Sequence, residues 1–317
     1  MKISIITPVY NRADCIGRCI ESVLSQKDFD DFEMYVIADI STDGTEDIVR
    51  GYADKDNRIK LLVLPQRGGI NKARNWGIQE ATGDYIMILD SDDWLVDDAL
   101  FTINDSINAY PQYHYFMFED NDRMEYYKQN GLQKQHTTEL HFNDFLSGKI
   151  SGDFVHVIKA EIIKNNLFNE EVNSYEGFTF MKFYKEAQNT LFIDKIITER
   201  ERNRDDSATY TMIRSNLHLV KEELDAYYSY LNEFDQYLAM YNDRTILNYY
   251  YNRMLEDCLI LKDDNKYKHI LKRFSKYNIK IKTYIRLIRF TNTGGLYYRM
   301  LKMFYYMKYN VIKKKVG

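Results

Sequence analysis

The run Tyr85-Ile86-Met87-Ile88-Leu89-Asp90-Ser91-Asp92-Asp93-Trp94 passes from apolar residues to three carboxylates within four positions. A buried strand has no use for clustered like charges, because desolvating each is costly unless it is paired or binds a cation. At a strand end the cluster suits a hard divalent ion, which takes oxygen ligands and shares them with phosphates. The first expectation is therefore an enzyme that handles a phosphorylated substrate through Mg or Mn.

Outward from this run, apolar stretches alternate with amphipathic ones. Strands are predicted over 2–9, 32–39, 59–64, 85–89 and 113–119, and helices over 14–26, 45–53, 71–81 and 96–108. The first helix places Cys15, Ile16, Cys19, Ile20, Val23 and Leu24 on one stripe. Such alternation implies βαβ units and a largely parallel sheet, an α/β fold. Ligands of these sheets sit at the carboxyl ends of the strands. Tyr10, Asp39 and Asp90 each follow a strand end, so they are expected to converge. Beyond about residue 120 the alternation loosens. Helices are expected over 140–147, 160–166 and 175–188 and a strand over 191–197, with long Tyr-, Leu- and Asn-rich helices from about 210.

Composition sets outer limits. With 317 residues, 45% hydrophobic and 28% charged, the chain is long and apolar enough for a folded domain plus an extension. Its three cysteines contain no Cys-x-x-Cys pair, so neither a zinc site nor a disulfide framework is indicated. Pro8 and Asn11 interrupt the first apolar run too early for a signal peptide, and no stretch reaches membrane-spanning length. A cytoplasmic location is expected.

Five motifs stand in one order along the chain: Ile5-Ile6-Thr7-Pro8-Val9-Tyr10-Asn11, Val36-Ile37-Ala38-Asp39-Ile40-Ser41-Thr42-Asp43-Gly44-Thr45, Gly68-Gly69-Ile70-Asn71-Lys72-Ala73-Arg74-Asn75, Ala81-Thr82-Gly83-Asp84-Tyr85 and Leu89-Asp90-Ser91-Asp92-Asp93-Trp94. Together they resemble glycosyltransferase family 2, the inverting nucleotide-sugar transferases of bacterial polysaccharide assembly. The resemblance is strong over residues 1 to about 115 and traceable to about 210. It implies a GT-A fold over 1–210, with nucleotide-sugar binding in 1–115 and the acceptor side in 116–210. A helical C-terminal extension follows over 211–317.

The resemblance also implies roles. Pro8 and Tyr10 match the segment that packs on the nucleotide base and ribose; read alone, they are a strand terminus. Asp39 matches the acidic residue that accepts a hydrogen bond from a pyrimidine ring nitrogen, which favours a UDP donor. Ala38 and Ile40 depart from the family, which places a second Asp and a Gly there. The turn 41–45 reads as a helix cap. Arg74 would neutralise phosphate or bind the carboxylates of the metal motif; a solvated helix arginine is the plainer reading. Asp90-Ser91-Asp92 matches the family's Asp-x-Asp motif. Asp92 would bind the metal, and Asp90 and Ser91 would contact the donor. Asp93 reads as structural. The metal, Mn or Mg, would bridge the diphosphate and stabilise the leaving group.

Inversion needs a carboxylate to take the acceptor's proton. Glu176 matches that position, but Gly177 stands where the family has an Asp. Asp205 and Asp206 are alternatives for the base. Arg202 resembles an arginine of the loop that closes over the diphosphate. His156, a lone histidine, reads as structural. A second reading is a degenerate, non-catalytic nucleotide-sugar-binding relative. A third, a sugar-1-phosphate nucleotidyltransferase, would need a Gly-rich phosphate loop where Pro8-Val9-Tyr10-Asn11 stands.

The net charge of −4 hides an asymmetry. No acidic residue follows Asp264, and fifteen of the 43 Lys and Arg do, leaving 28 basic against 47 acidic residues before that point, a net of −19. Leu296, Met300, Phe304, Met307 and Val311 recur at helical spacing beside Arg299, Lys302 and Lys313. This suits a helix on an anionic membrane surface, each cation adding on the order of 1 kcal/mol. A lipid-linked saccharide acceptor would account for it. A helix packed on the acidic body or on a dimer partner is the alternative. Nucleic acid is not an expected partner, since no recognised motif occurs.

Overall fold

The computed structural model describes residues 1–121, 124–132, 136–150, 152–172, 175–200, 216–240 and 244–304. The chain divides into two compact units, Met1–Arg202 and Asn203–Gly317.

The first unit is built on a nine-stranded sheet. Its strands are β1 (Ile3–Val9), β2 (Phe32–Ala38), β3 (Ile59–Val63), β4 (Tyr85–Ile88), β5 (Trp94–Leu95), β6 (Tyr115–Asp120), β7 (Thr137–His141), β8 (Val155–Lys159) and β9 (Asn189–Glu199). The spatial order is β3-β2-β1-β4-β8-β6-β9-β5, with β7 also on β9. The first four strands in this order pair in parallel. All residues of β1 and β2 are buried, as near-continuous apolar strands covered on both faces must be. Helices α1 (Ile16–Leu24), α2 (Thr45–Ala53), α3 (Ile70–Glu80) and α4 (Ala99–Ala109) follow β1, β2, β3 and β5. Ile16, Cys19, Ile20 and Val23 form the buried stripe of α1, so the neighbouring cysteines act as small apolar residues. A Cβ on Gly77 would lie 2.5 Å from Ile37 and 2.8 Å from Ile6. Glycine there lets α3 settle directly on β1 and β2.

Differences from the sequence reading lie after the fourth strand. β8 was not anticipated, yet it enters the sheet antiparallel between β4 and β6. Its five residues include His156 and Lys159 and carry no clear period. The helix expected from Val96 begins at Ala99 instead. Trp94 and Leu95 pair with β9, and the Val96 amide donates to the Ile197 carbonyl at 3.1 Å. Leu140 and His141, expected to be helical, pair with Thr190 and Asn189. Among the described residues the unit also has the short helices α5 (Met124–Gln129), α6 (Phe142–Leu146) and α7 (Ala160–Asn165) and the longer α8 (Gly177–Ala187). The apolar core runs from β1, β2 and α1 through β4 and α4 to β6 and β9.

The described residues of the second unit are helical, with α9 (Leu217–Met240), α10 (Arg244–Leu261), α11 (Asp264–Phe274), α12 (Thr283–Thr291) and a further helix over 294–304. Leu224, Tyr227, Leu231, Phe234 and Leu238 form the buried side of α9. Its interior also holds a charged pair, Arg253 Nε on Glu223 at 2.9 Å. No helix among the described residues is long and apolar enough to cross a membrane.

Candidate active site

Parallel pairing in register brings the ends of β1, β2 and β4 to one edge of the sheet. The Asp39 amide donates to the Val9 carbonyl at 2.9 Å, and the Leu89 amide to the Ile6 carbonyl at 3.0 Å. The pairing of β4 with β1 stops at Ile6, so at Pro8 the strand has a ladder partner only in β2. Proline, which has no N–H, is tolerated at such a point.

On one side of this edge stand Tyr10 and Asp39. Asp39 is buried, and its carboxylate accepts from the amides of Gly68 at 2.7 Å and Gly69 at 3.0 Å. Gly69 adopts φ +81°, a backbone that presents these amides and opens α3. The Arg67 side chain lies 3.4 Å from Asp39 and 3.4 Å over the Tyr10 ring. Tyr10 remains 41% exposed, which leaves a ring face available to a ligand. A carboxylate offers about four acceptor sites, so Asp39 holds its loop with capacity to spare. Arg67 was missed by sequence reasoning; its position immediately before Gly68-Gly69 is the signal that could have marked it.

On the other side stands the acidic turn. The Asp93 amide donates to the Asp90 carbonyl at 3.1 Å, closing the turn. Ser91 is buried within it. The Arg18 guanidinium stacks 3.9 Å over Trp94 and donates to the Asp92 carbonyl at 3.2 Å. Arg74 is the hinge of the site. Its side chain is 5% exposed and donates to Asp90 at 3.2 Å and to Glu176, whose carboxylates are 49% and 44% exposed. One buried guanidinium thus gathers two accessible carboxylates separated by 86 residues of chain. Burial works against charge on Arg74; Glu176 and Asp90 outweigh it and raise its pKa.

The same helix delivers Glu176. Asn71 donates to the carbonyls of Asn169 at 3.0 Å and Val172 at 2.6 Å. Asn75 donates to the Phe168 carbonyl and accepts from the Phe168 amide, both at 2.8 Å. Asn71, Arg74 and Asn75 lie at i, i+3 and i+4, one face of α3. All three are buried. Polar residues buried at that spacing signal a helix that organises another segment, and the sequence reading missed the two asparagines.

Arg200, also missed, directly follows β9. It lies 3.6 Å from Asp93, 3.4 Å from Asp120 and 3.4 Å from Asp153. Burial, then the charge of Asp90, pushes Asp93 up to about 8, with Arg200 opposing the rise. His156 is a core residue: it is buried, 2.9 Å from the Tyr115 hydroxyl, and stacked on Phe180. Burial, then Arg200, pushes it down to about 3, so it is neutral. Arg202, Asp205 and Asp206 lie outside the described residues. The structure therefore brings together Pro8, Tyr10 and Asp39 on one side, and Arg74, Asp90, Ser91, Asp92 and Glu176 on the other.

Among the described residues, no group of three or more His, Cys, Asp or Glu is arranged to hold a metal on protein ligands alone. The oxygen donors of the acidic turn suit Mg or Mn in another way, through one or two carboxylates with the other positions filled by phosphate and water.

Known proteins carry the same pattern. The glycosyl transferase family 2 model matches residues 4–165. A GalNAc(5)-diNAcBac-PP-undecaprenol beta-1,3-glucosyltransferase of Campylobacter jejuni is 32% identical over 212 residues, covering 66% of this chain and 67% of that protein. Glycosyltransferase GlyG of Streptococcus pneumoniae is 28% identical over 218 residues, covering 63% and 71%. Among solved structures, S. aureus TarS 1-349 in complex with UDP-GlcNAc superposes with a TM-score of 0.64 at 21% identity. It spans 100% of this chain and 93% of that one. A Pyrobaculum calidifontis mannosyltransferase bound to GDP-Man and Mn2+ superposes at 0.54 with 16% identity, over 95% and 86%. These two likenesses show the fold. By its family match, its sequence relatives and its mixed α/β sheet, the chain belongs to glycosyltransferase family 2 and is a glycosyltransferase of the GT-A fold.

Proposed function

We propose that the protein transfers a sugar from a UDP-sugar, with inversion and with Mn or Mg, to a hydroxyl of a saccharide or lipid-linked saccharide. The setting is cell-surface polysaccharide synthesis on the cytoplasmic side of the membrane. The observation that carries the reading is the bridge from Asp90 through Arg74 to Glu176, which joins the donor motif to a carboxylate able to act as base.

Tyr10 would stack on the base beside Pro8, and Asp39 would accept from the pyrimidine N–H. Asp92 would ligate the metal, with Asp90 and Ser91 toward the ribose and diphosphate and Arg202 as a further phosphate contact. The metal, when bound, neutralises charge on the departing diphosphate. Glu176 takes the proton of the acceptor hydroxyl while that oxygen forms its bond to the anomeric carbon. The bond to the diphosphate breaks on the opposite face, and the nucleoside diphosphate leaves with the electron pair. Arg74 orients Glu176 for this step.

The UDP assignment draws support from Asp39 and from the UDP-GlcNAc complex of TarS. Acceptor chemistry draws support from the undecaprenol-linked substrate in the name of the Campylobacter relative. The non-catalytic reading is favoured by Gly177 and Ala38. Calorimetry with UDP-, GDP-, CMP- and dTDP-sugars, with and without Mn, tests both. Metal-dependent binding and slow hydrolysis of a UDP-sugar, lost in Asp92→Ala, are expected. Binding without any hydrolysis or transfer would favour the non-catalytic reading, and binding of no donor would sink both.

A further inference from the structure

Two consecutive helices of the second unit leave apolar faces uncovered. In α12, Ile285 and Ile288 are buried, whereas Leu287 is 60% and Phe290 89% exposed. Residues three apart share a helix face, so Leu287 and Phe290 stand together opposite the buried pair, with exposed Arg286 beside them. The helix over 294–304 repeats the arrangement. Leu296, Met300 and Met303 lie at i, i+4 and i+7 and are 59%, 62% and 61% exposed. Exposed Arg299 and Lys302 border that stripe. The other side of this helix is held inward. A Cβ on Gly294 would collide with the Leu259 carbonyl, and the Tyr297 hydroxyl donates to Glu256. The rings of Tyr284 and Tyr297, 6.0 Å apart, link the two helices.

Large apolar side chains left exposed on one face of each of two consecutive helices mark an interaction surface. Its charge decides the occupant. Three cations flank these stripes, and no Asp or Glu occurs anywhere after Asp264. A second copy docking by two-fold symmetry would set this basic face against itself. An anionic bilayer offers apolar depth for the stripe and negative headgroups for the cations. We propose that α12 and the helix over 294–304 form a surface that lies on an anionic membrane, with Leu287, Phe290, Leu296, Met300 and Met303 as the inserted side chains. The surface rests on the transferase reading only for its purpose, the capture of a lipid-linked acceptor. Binding itself needs no chemistry.

The test is co-sedimentation of the full chain with vesicles of phosphatidylcholine alone, or of phosphatidylcholine and phosphatidylglycerol in about equal parts. The protein is expected to pellet with the mixed vesicles and not with the neutral ones, and to be released by high salt. The double variant Phe290→Ser, Met300→Ser should lower partitioning by about tenfold or more. Arg286→Glu with Arg299→Glu should abolish it. Circular dichroism and hydrolysis of a UDP-sugar, unchanged in both variants, separate this result from a folding defect and from failure of the transferase reading. Absence of binding to mixed vesicles by the folded wild type would overturn the proposal. So would undiminished binding of the Phe290→Ser, Met300→Ser variant. Self-association lost in that variant, with no vesicle binding, would assign the surface to a second copy instead.

Discussion

At the scale of single residues, Arg74 concentrates the function. Arg74→Ala removes the group that holds Glu176 and Asp90 together, and transfer should fall by roughly 10²–10³. Arg74→Lys should recover little, because an ammonium does not reproduce a planar fork that reaches two carboxylates. Steady-state transfer rates with a matched donor check both. Gly177 is one of the positions at which this chain departs from its family, and a Cβ there would meet nothing within 4 Å. Gly177→Asp should therefore fold normally and, with Glu176 supplying the base, leave transfer unchanged; a large rise would mean that Glu176 alone does not supply it. Ile40, another of the departures, sits at φ +53°. A β-branched residue in that region carries a steric penalty of about 1–2 kcal/mol, partly offset by the extra entropy a glycine loses on folding. Ile40→Gly should raise stability by about 0.5–1 kcal/mol in denaturant melts.

At the scale of elements, α3 does more than cover the sheet. Its buried Asn71, Arg74 and Asn75 fasten the segment that runs from Phe168 to Glu176. Asn75→Ala strands the buried amide and carbonyl of Phe168, a cost of about 1–3 kcal/mol. It should also lower kcat more than donor affinity, because it loosens the route to Glu176 while leaving Tyr10, Asp39 and Asp92 in place. Donor titration beside turnover separates the two effects. The first four strands and their helices were legible from the apolar period alone. The later strands were not. β8 is five residues long, and β5 is two. Both owe their conformation to partners distant in sequence, β8 to β4 and β6, and β5 to β9.

At the scale of the molecule, the sheet is tied at the end opposite the site by Glu33. This buried carboxylate receives Lys2 at 2.8 Å, Lys60 at 2.6 Å, the Ser4 hydroxyl at 2.7 Å and the Thr82 amide at 2.7 Å. Burial by itself would raise its pKa; these bonds outweigh burial and hold it well below the usual 4.5. A depressed carboxylate stabilises the fold at pH above its unfolded value, and that contribution disappears as pH falls through the acid range. Glu33→Gln should therefore lower stability at pH 7 by about 1–3 kcal/mol, since the two lysines it releases are partly exposed and can turn to solvent. It should also flatten the fall in stability below about pH 4.5, as read from melts across pH. The sequence by itself determined the α/β pattern, the order of the donor motifs and the family, because apolar period and short motifs are local properties. Only the tertiary structure decided that Arg74 joins Asp90 to Glu176, that Arg67 faces Tyr10, and that Arg200 meets three aspartates. Those contacts are set by distance in space between residues far apart in the chain, which no local pattern encodes.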